Sequence, residues 1–273
     1  MTEWWRQLRG RPFYWALDGT HPAADLVMLA SVIERPDDAR PVRAAQLALR
    51  EAAPVTAQVA RLADDVPTWQ RYAGKAWRLR GLAELGVEGD DERIAEALDA
   101  VLDTALPPDN ALSLPLLAHV GAALGFADEG RVQRLFAAMG DEMSDEPRWL
   151  GLALQAVAAH PAPDVALRDA LSQRMASLSP EALPHAAQFG VPNYDQPDAL
   201  SVARAALQAG LRAPWLAAWV DVVLHAQDEA GLWRMARQRP TPDLPPWPEE
   251  AEGRPSRLIT ARALYVLRAW FGE

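Results

Sequence analysis

Three features of this 273-residue sequence predict an all-α protein. β-Formers are scarce, with three Ile and seven Thr in the whole chain. Apolar residues recur at intervals of three and four, the period of a helix face. Most of the 23 prolines fall between the periodic segments and not inside them, as expected for a residue that breaks a helix interior.

Start and stop signals place the helices in order. Pro22, after Thr20 and His21, opens one helix; Asp38 precedes a run to Ala52; Pro54 opens the next. Thr68 precedes a helix over 69–85, closed by Gly86 in the left-handed position that follows many helices. Asp90 is placed to cap the following helix through an orphan first-turn amide, and Ile94, Leu98, Val101 and Leu102 form its apolar stripe. Ser113-Leu114-Pro115 puts proline in a first turn, where its missing N–H costs nothing. That helix carries Leu117, Gly121 and Leu124 and ends at Gly125. The next carries Val132, Leu135, Phe136 and Met139 and ends at Gly140. Pro147, Pro163, Pro180, Pro197 and Pro214 lie near later starts. Six prolines between 239 and 256 exclude helix there. This stretch is expected to be an ordered surface loop anchored by Leu244 and Trp247, leading into a final helix over 257–270.

Short connections make consecutive helices antiparallel neighbours. Residues 69–104, 111–139 and 147–177 then form three hairpins, a repeat of about 38–40 residues within the range of helical-pair arrays. Such arrays stay open as solenoids or close into a ring, and the period does not choose between them. No second linker-like stretch occurs, so residues 1–273 are read as a single domain.

Composition excludes several functions. With no cysteine there is no disulfide framework, no thiolate nucleophile and no cysteine-based zinc or iron–sulfur site. A net charge of −10 argues against binding nucleic acid, where affinity comes largely from Lys and Arg on phosphates. Lys75 is the only lysine, and Tyr72-Ala73-Gly74-Lys75-Ala76-Trp77 does not have the spacing of a phosphate-binding loop. The longest apolar stretch, 213–226, is interrupted by Asp221 and His225, so no membrane span is expected. The first residues lack a basic segment followed by an apolar run, and a cytoplasmic location is expected.

Gln227-Asp228-Glu229-Ala230-Gly231-Leu232-Trp233 fits Q-x-x-x-G-x-W. It resembles the QW motif of squalene and terpene cyclases and of related prenyltransferase repeats. In that motif Gln caps a neighbouring helix end and stacks on the Trp ring, while Gly permits the turn. The aromatic that precedes Gln in the fuller motif is replaced here by Val222. Further segments are similar to a bacterial family of uncharacterised terpenoid cyclase/prenyltransferase-like α/α toroids. They are Trp69-Gln70-Arg71-Tyr72 with Lys75-Ala76-Trp77 and Leu82-Ala83-Glu84-Leu85-Gly86, then Phe189-Gly190-Val191-Pro192 with Asp195, then Gly253 through Leu267. These motifs are scattered over about residues 20–270. The resemblance implies a closed α/α toroid of about six antiparallel helical hairpins. It implies no particular reaction.

The catalytic motifs of the related enzymes are missing. The nearest string to D-x-D-D is Glu88-Gly89-Asp90-Asp91, between two helices, where acids cap and favour the helix dipole. Asp64-Asp65 lacks the third acid of D-D-x-x-D because Thr68 stands there. The zinc set of the protein prenyltransferases needs a cysteine. Among the histidines, His21 and His160 precede prolines at helix boundaries, His119 and His225 lie on largely apolar helices, and no H-E-x-x-H occurs. No catalytic residue, metal site or cofactor is assigned.

Any polar site is expected first at Tyr194, Asp195 and Asp198, which the resemblance brings to the ring mouth, together with His185. The bland alternative is a turn in which Asp195 or Asp198 caps the next helix. Trp69 and Trp77 are candidates to line an apolar cavity, although Trp also packs cores and hairpin junctions. The expectation is a non-catalytic toroid that binds an apolar small molecule or a peptide in its central cavity. Two alternatives stay open: an enzyme, a lyase or glycan-active protein, using Asp195, Asp198 and His185, or a helical-repeat scaffold for protein contacts. A diphosphate ligand would require the arginines to be concentrated locally.

Overall fold

A computed structural model describes residues 3–104, 106, 111–238, 247 and 250–272. Among these residues the protein is all-helical: there are thirteen α-helices and no β-strand, only isolated bridges Gly190–Arg237 and Arg234–Pro255. After a 3₁₀ turn at Trp4–Gln7, the helices are α1 (Pro12–Ala16), α2 (Pro22–Leu26, continued by a π-helical turn over Val27–Val32), α3 (Arg40–Glu51) and α4 (Ala53–Ala60). Three hairpins follow: α5 (Lys75–Leu85) with α6 (Glu92–Leu102), α7 (Ser113–Ala123) with α8 (Gly130–Asp141), and α9 (Pro147–Ala159) with α10 (Val165–Met175). Then come α11 (Ala199–Gln208), α12 (Leu216–His225) and α13 (Arg257–Phe271).

The helices are of two kinds. On α6 the buried residues are Ile94, Ala97, Leu98 and Val101, a single stripe, and α8 buries only Val132 and Met139. These are amphipathic surface helices. By contrast α7 is buried from Ser113 to Ala122, and α5 from Ala76 to Leu85. A helix that is buried all round has neighbours on every side. Here α5 packs on α7, α7 on α9, α9 on α11, α11 on α13, and α13 on α2 and its π-helical turn. The amphipathic helices cover this series from outside, α6 on α5, α8 on α7, α10 on α9 and α12 on α11.

Most of the punctuation acts as expected, with local shifts. Gly86 follows α5 at φ +83°, and Gly125 follows α7 at φ +90°. The helix expected over 69–85 starts only at Lys75. Tyr72 is left-handed at φ +60°, and a Cβ on Gly74 would run into the carbonyls of Pro67 and Thr68. Residues 69–74 therefore form turns, and Trp69 and Trp77 are not on one helix. Asp91, not Asp90, caps α6, accepting from the Arg93 amide at 2.9 Å. Asp90 instead pairs with Arg50 at 2.5 Å. Gly140 lies inside α8, which ends at Asp141.

Gln227-x-x-x-Gly231-x-Trp233 is a tie: Gln227 Nε2 donates to the Gln7 carbonyl at the end of the neighbouring 3₁₀ turn at 3.3 Å. Gln227 Nε2 also donates to the Leu224 carbonyl at the end of its own helix, α12, at 3.0 Å. Its Oε1 accepts from the Arg9 amide at 3.0 Å, which pins the N-terminal segment. Gly231 sits at φ +81°, and a Cβ there would overlap the Arg9 carbonyl, so both the turn and the close approach require glycine. Trp233 is fully buried, and its indole N–H donates to the Val223 carbonyl at 2.7 Å.

Residues 239–246 and 248–249 of the proline-rich segment, including Leu244, lie outside the described residues. Trp247 is half-buried and stacks on His21, with centroids 4.4 Å apart and planes at 18°. His21 caps α2 by accepting from the Ala24 amide at Nδ1 (3.3 Å), which leaves its proton on Nε2, 3.6 Å from Glu250 Oε1. Burial pushes the His21 pKa down to about 4. Burial also raises Glu250, although the Leu258 and Arg257 amides that it accepts hold it down in part.

A histidine depressed on folding contributes stability above its unfolded value, near 6.5, and loses that contribution as pH falls toward 4. The total is at most about 3 kcal/mol. Acids with raised values, Glu250 among them, act in the opposite sense over part of this range. Comparison with His21→Gln isolates the histidine. The wild type should lose stability more steeply than the variant between pH 6.5 and 4 in denaturant melts. Parallel curves would sink the assignment.

Candidate functional site

The buried helices α5, α7, α9, α11 and α13 carry polar side chains toward one another. Arg80 and Glu84 lie one turn apart on α5, and Arg80 Nε meets Glu84 Oε1 at 3.0 Å. Arg80 is completely buried. Its guanidinium also donates to Gln155 Oε1 on α9 at 2.6 Å and to His119 Nδ1 on α7. An arginine can only donate, so His119 Nδ1 accepts and its proton sits on Nε2. Burial, followed by the charge of Arg80, holds His119 well below the usual histidine range and keeps it neutral.

Glu84 is bound on every side. Its two oxygens accept the backbone amides of Asn193 (2.7 Å) and Tyr194 (2.8 Å), and its own carbonyl accepts from Arg262 on α13. The 189–198 turn is held in turn by Asp198. That residue takes the Gly190 amide (3.2 Å), the Asn193 side chain (3.0 Å) and the Ser201 amide (2.8 Å), and it forms the capping box of α11. Burial raises the Asp198 pKa.

Several of these groups floor a cavity of about 720 Å³. Glu84, His119, Gln155, Asn193, Arg204 and Arg262 supply the polar lining. Ala83, Ala122, Ala123, Leu124, Phe126 and Ala158 supply the apolar wall. The cavity lies toward the C-terminal ends of α5, α7 and α9, and its rim includes Glu88 and Asp90, both paired with Arg50. The acidic string nearest to D-x-D-D thus stands at the rim with every acid engaged, since Asp91 caps α6.

Charge at the floor is not balanced. Three guanidiniums, those of Arg80, Arg204 and Arg262, share the carboxylate of Glu84 at the floor, with Asp195 acting on Arg80 and Asp198, beneath the floor, on Arg262. Burial lowers all three, and Arg262 falls to about 9 through burial and the nearby charge of Arg204. At neutral pH each remains a cation.

The residues expected to form a site are divided by the fold. Trp69, Trp77 and Asp195 border a different hollow of about 500 Å³ at the opposite, N-terminal ends of α5, α7 and α9. There Asp195 pairs with Arg71 at 3.0 Å. Tyr194 is buried at φ +50° with its ring against Tyr72 and Trp77, centroids 5.1 and 5.8 Å away. Burial raises its phenol pKa. Asp198 lies beneath the floor as a cap. His185 is half-buried, bonded to Gln188 at 3.1 Å, and joins none of the others. Neither candidate tryptophan lines the large cavity.

Comparison with protein-family models, with curated proteins and with solved structures finds no match for this chain. Function therefore has to be argued from the cavity. Sequence reasoning missed Arg80, Glu84, Gln155, Arg204 and Arg262, and it treated His119 as structural. One signal was present: a single polar residue inside an otherwise apolar helix, as in Leu116-Leu117-Ala118-His119-Val120 and Leu152-Ala153-Leu154-Gln155-Ala156. Among the described residues no group of three or more His, Asp or Glu is placed to hold a metal ion, and no helix is long and apolar enough to cross a membrane.

Proposed function

We propose that this protein is a non-catalytic α/α toroid of the terpenoid cyclase-like kind that binds a small molecule with an apolar body in its central cavity. The carrying observation is the cavity of about 720 Å³, with its alanine, leucine and phenylalanine wall. That volume is in the range of small-molecule sites, which are mostly apolar with a few converging polar groups. Closure of the toroid is supported by the series of buried helices from α5 to α13 and by Arg262 on α13, which donates to the Glu84 carbonyl on α5. The absence of a free acid in Glu88-Gly89-Asp90-Asp91 supports a binding role.

Ala123 lines the wall and is only half-buried, so Ala123→Trp should fill the cavity with little cost to stability. An environment-sensitive apolar dye should bind the wild type at micromolar concentration and bind Ala123→Trp at least about tenfold more weakly. Equal binding to both proteins would overturn the assignment. Glu84 and His119 on one cavity also favour a second reading, an enzyme with acid/base chemistry such as a lyase or glycan-active protein. In the binding reading, a molecule extracted from the purified protein is recovered unchanged after incubation with fresh protein. Its conversion would transfer the site to the second reading.

A further inference from the structure

The donors at the floor of the cavity outnumber the acceptors. Glu84 is the only carboxylate there, and its oxygens are taken by Arg80 and two backbone amides. Ser201 Oγ is used within the α11 capping box. Arg204 makes no hydrogen bond or ion pair among the described residues. The buried Nε of Arg262 and the buried Nε2 of Gln155 have no partner either. His119, with Nδ1 occupied by Arg80, keeps a proton on Nε2. Arg262 and Gln155 are each more than nine-tenths buried, and both line the cavity. Unpaired buried donors are costly, and like charges in a low-dielectric site repel. Four helices bring such groups to one floor in a protein whose net charge is −10.

We infer that the floor is an oxyanion site, with Arg204, Arg262, Gln155 Nε2 and His119 Nε2 receiving a carboxylate or phosphate group of the ligand. A cation would meet three arginines, and a neutral hydroxyl would satisfy few of the donors. A planar guanidinium presents paired N–H groups that match the oxygens of either anion. The geometry also orients the ligand. Helix C-termini, which carry partial negative charge, and the carboxylates of Glu88 and Asp90 surround the mouth. The anionic group therefore lies deep at the floor, and the uncharged body lies along Ala83, Ala122, Leu124 and Phe126. This inference rests on the cavity being a ligand site, and it adds the chemical class of what enters.

The test uses the full chain and three probes: inorganic phosphate, decanoate, and decanol as the uncharged match to decanoate. Binding is followed by calorimetry and thermal melting for the wild type, Arg204→Met and Ala123→Trp. Phosphate or decanoate should raise the wild-type Tm, and decanoate should bind at least about tenfold more tightly than decanol. Arg204→Met should lose this preference while melting at or above the wild-type temperature without ligand, because a half-buried guanidinium repelled by Arg80 has been removed. A Tm at or above wild type shows that the variant folds, so its lost preference is read at the site. A response to phosphate without decanoate assigns a phosphate ester, and the converse assigns a carboxylate. If decanol and decanoate bind equally and Ala123→Trp blocks both, the oxyanion inference is wrong while the cavity reading stands. If no probe binds at about 10 mM, both are wrong.

Discussion

Removing the carboxylate of Glu84 should destabilise this protein by about 3–5 kcal/mol, the usual cost of breaking a buried charge pair from one side. Glu84→Ala leaves Arg80 without its ion pair and the buried amides of Asn193 and Tyr194 without an acceptor. It also leaves three guanidiniums together, with only the more distant Asp195 and Asp198 opposing Arg80 and Arg262. For a chain of this size the expected fall in Tm is roughly 10 °C. Glu84→Gln keeps the shape and one acceptor oxygen, so it should fall between Glu84→Ala and the wild type. Since it removes negative charge beside Arg204 and Arg262, added phosphate should recover more of its Tm than of the wild type's. A Glu84→Ala protein melting within about 2 °C of the wild type would mean that the carboxylate does not hold this cluster together.

Trp233→Ala should cost about 3–5 kcal/mol, the range for emptying a fully buried aromatic site. The indole fills space between α12 and α13 and satisfies the Val223 carbonyl at 2.7 Å. The backbone amide of Trp233 also donates to Thr260 Oγ1 on α13 at 3.1 Å. Trp233→Phe retains most of the apolar volume and loses the indole donor, so about 1–2 kcal/mol is expected. Denaturant melts report both values. A second readout tests the tie itself: proteolysis near Arg9 should accelerate in Trp233→Ala, because Gln227 and Gly231 hold the N-terminal segment from the same turn. Unchanged cleavage there would separate Trp233 from the tie.

Both residues show how far the sequence could be read. Trp233 was legible because its motif is local: seven consecutive residues form one turn, and the left-handed glycine is part of the signal. What the motif left open was where the tie goes: Gln227 bonds the end of its own helix and the carbonyl of Gln7 and the amide of Arg9, more than two hundred positions away. Glu84 was passed over because nothing near it in sequence is unusual. Its partners come from 193, 194 and 262, and only Arg80 is within a helical turn. The aromatic candidates failed to reach the cavity for a related reason. The helical period puts Trp69 and Trp77 on one helix, but Tyr72 and Gly74 turn the chain between them, and both pack at the N-terminal ends of the inner helices.

The sequence by itself determined the helices, their boundaries to within a few residues and their pairing into hairpins. These depend on local physics: a 3.6-residue period, side chains that cap the adjacent turn, and prolines and glycines that interrupt it. The amphipathic helices even declared their buried face. The inner helices could not, because a helix buried on all sides has no single apolar stripe to say which way it is turned. The direction of Arg80, His119, Gln155, Arg204 and Arg262 was decided only when neighbouring helices packed around them. The same tertiary packing turned an acidic chain with its arginines spread along its length into one with a cationic cavity floor.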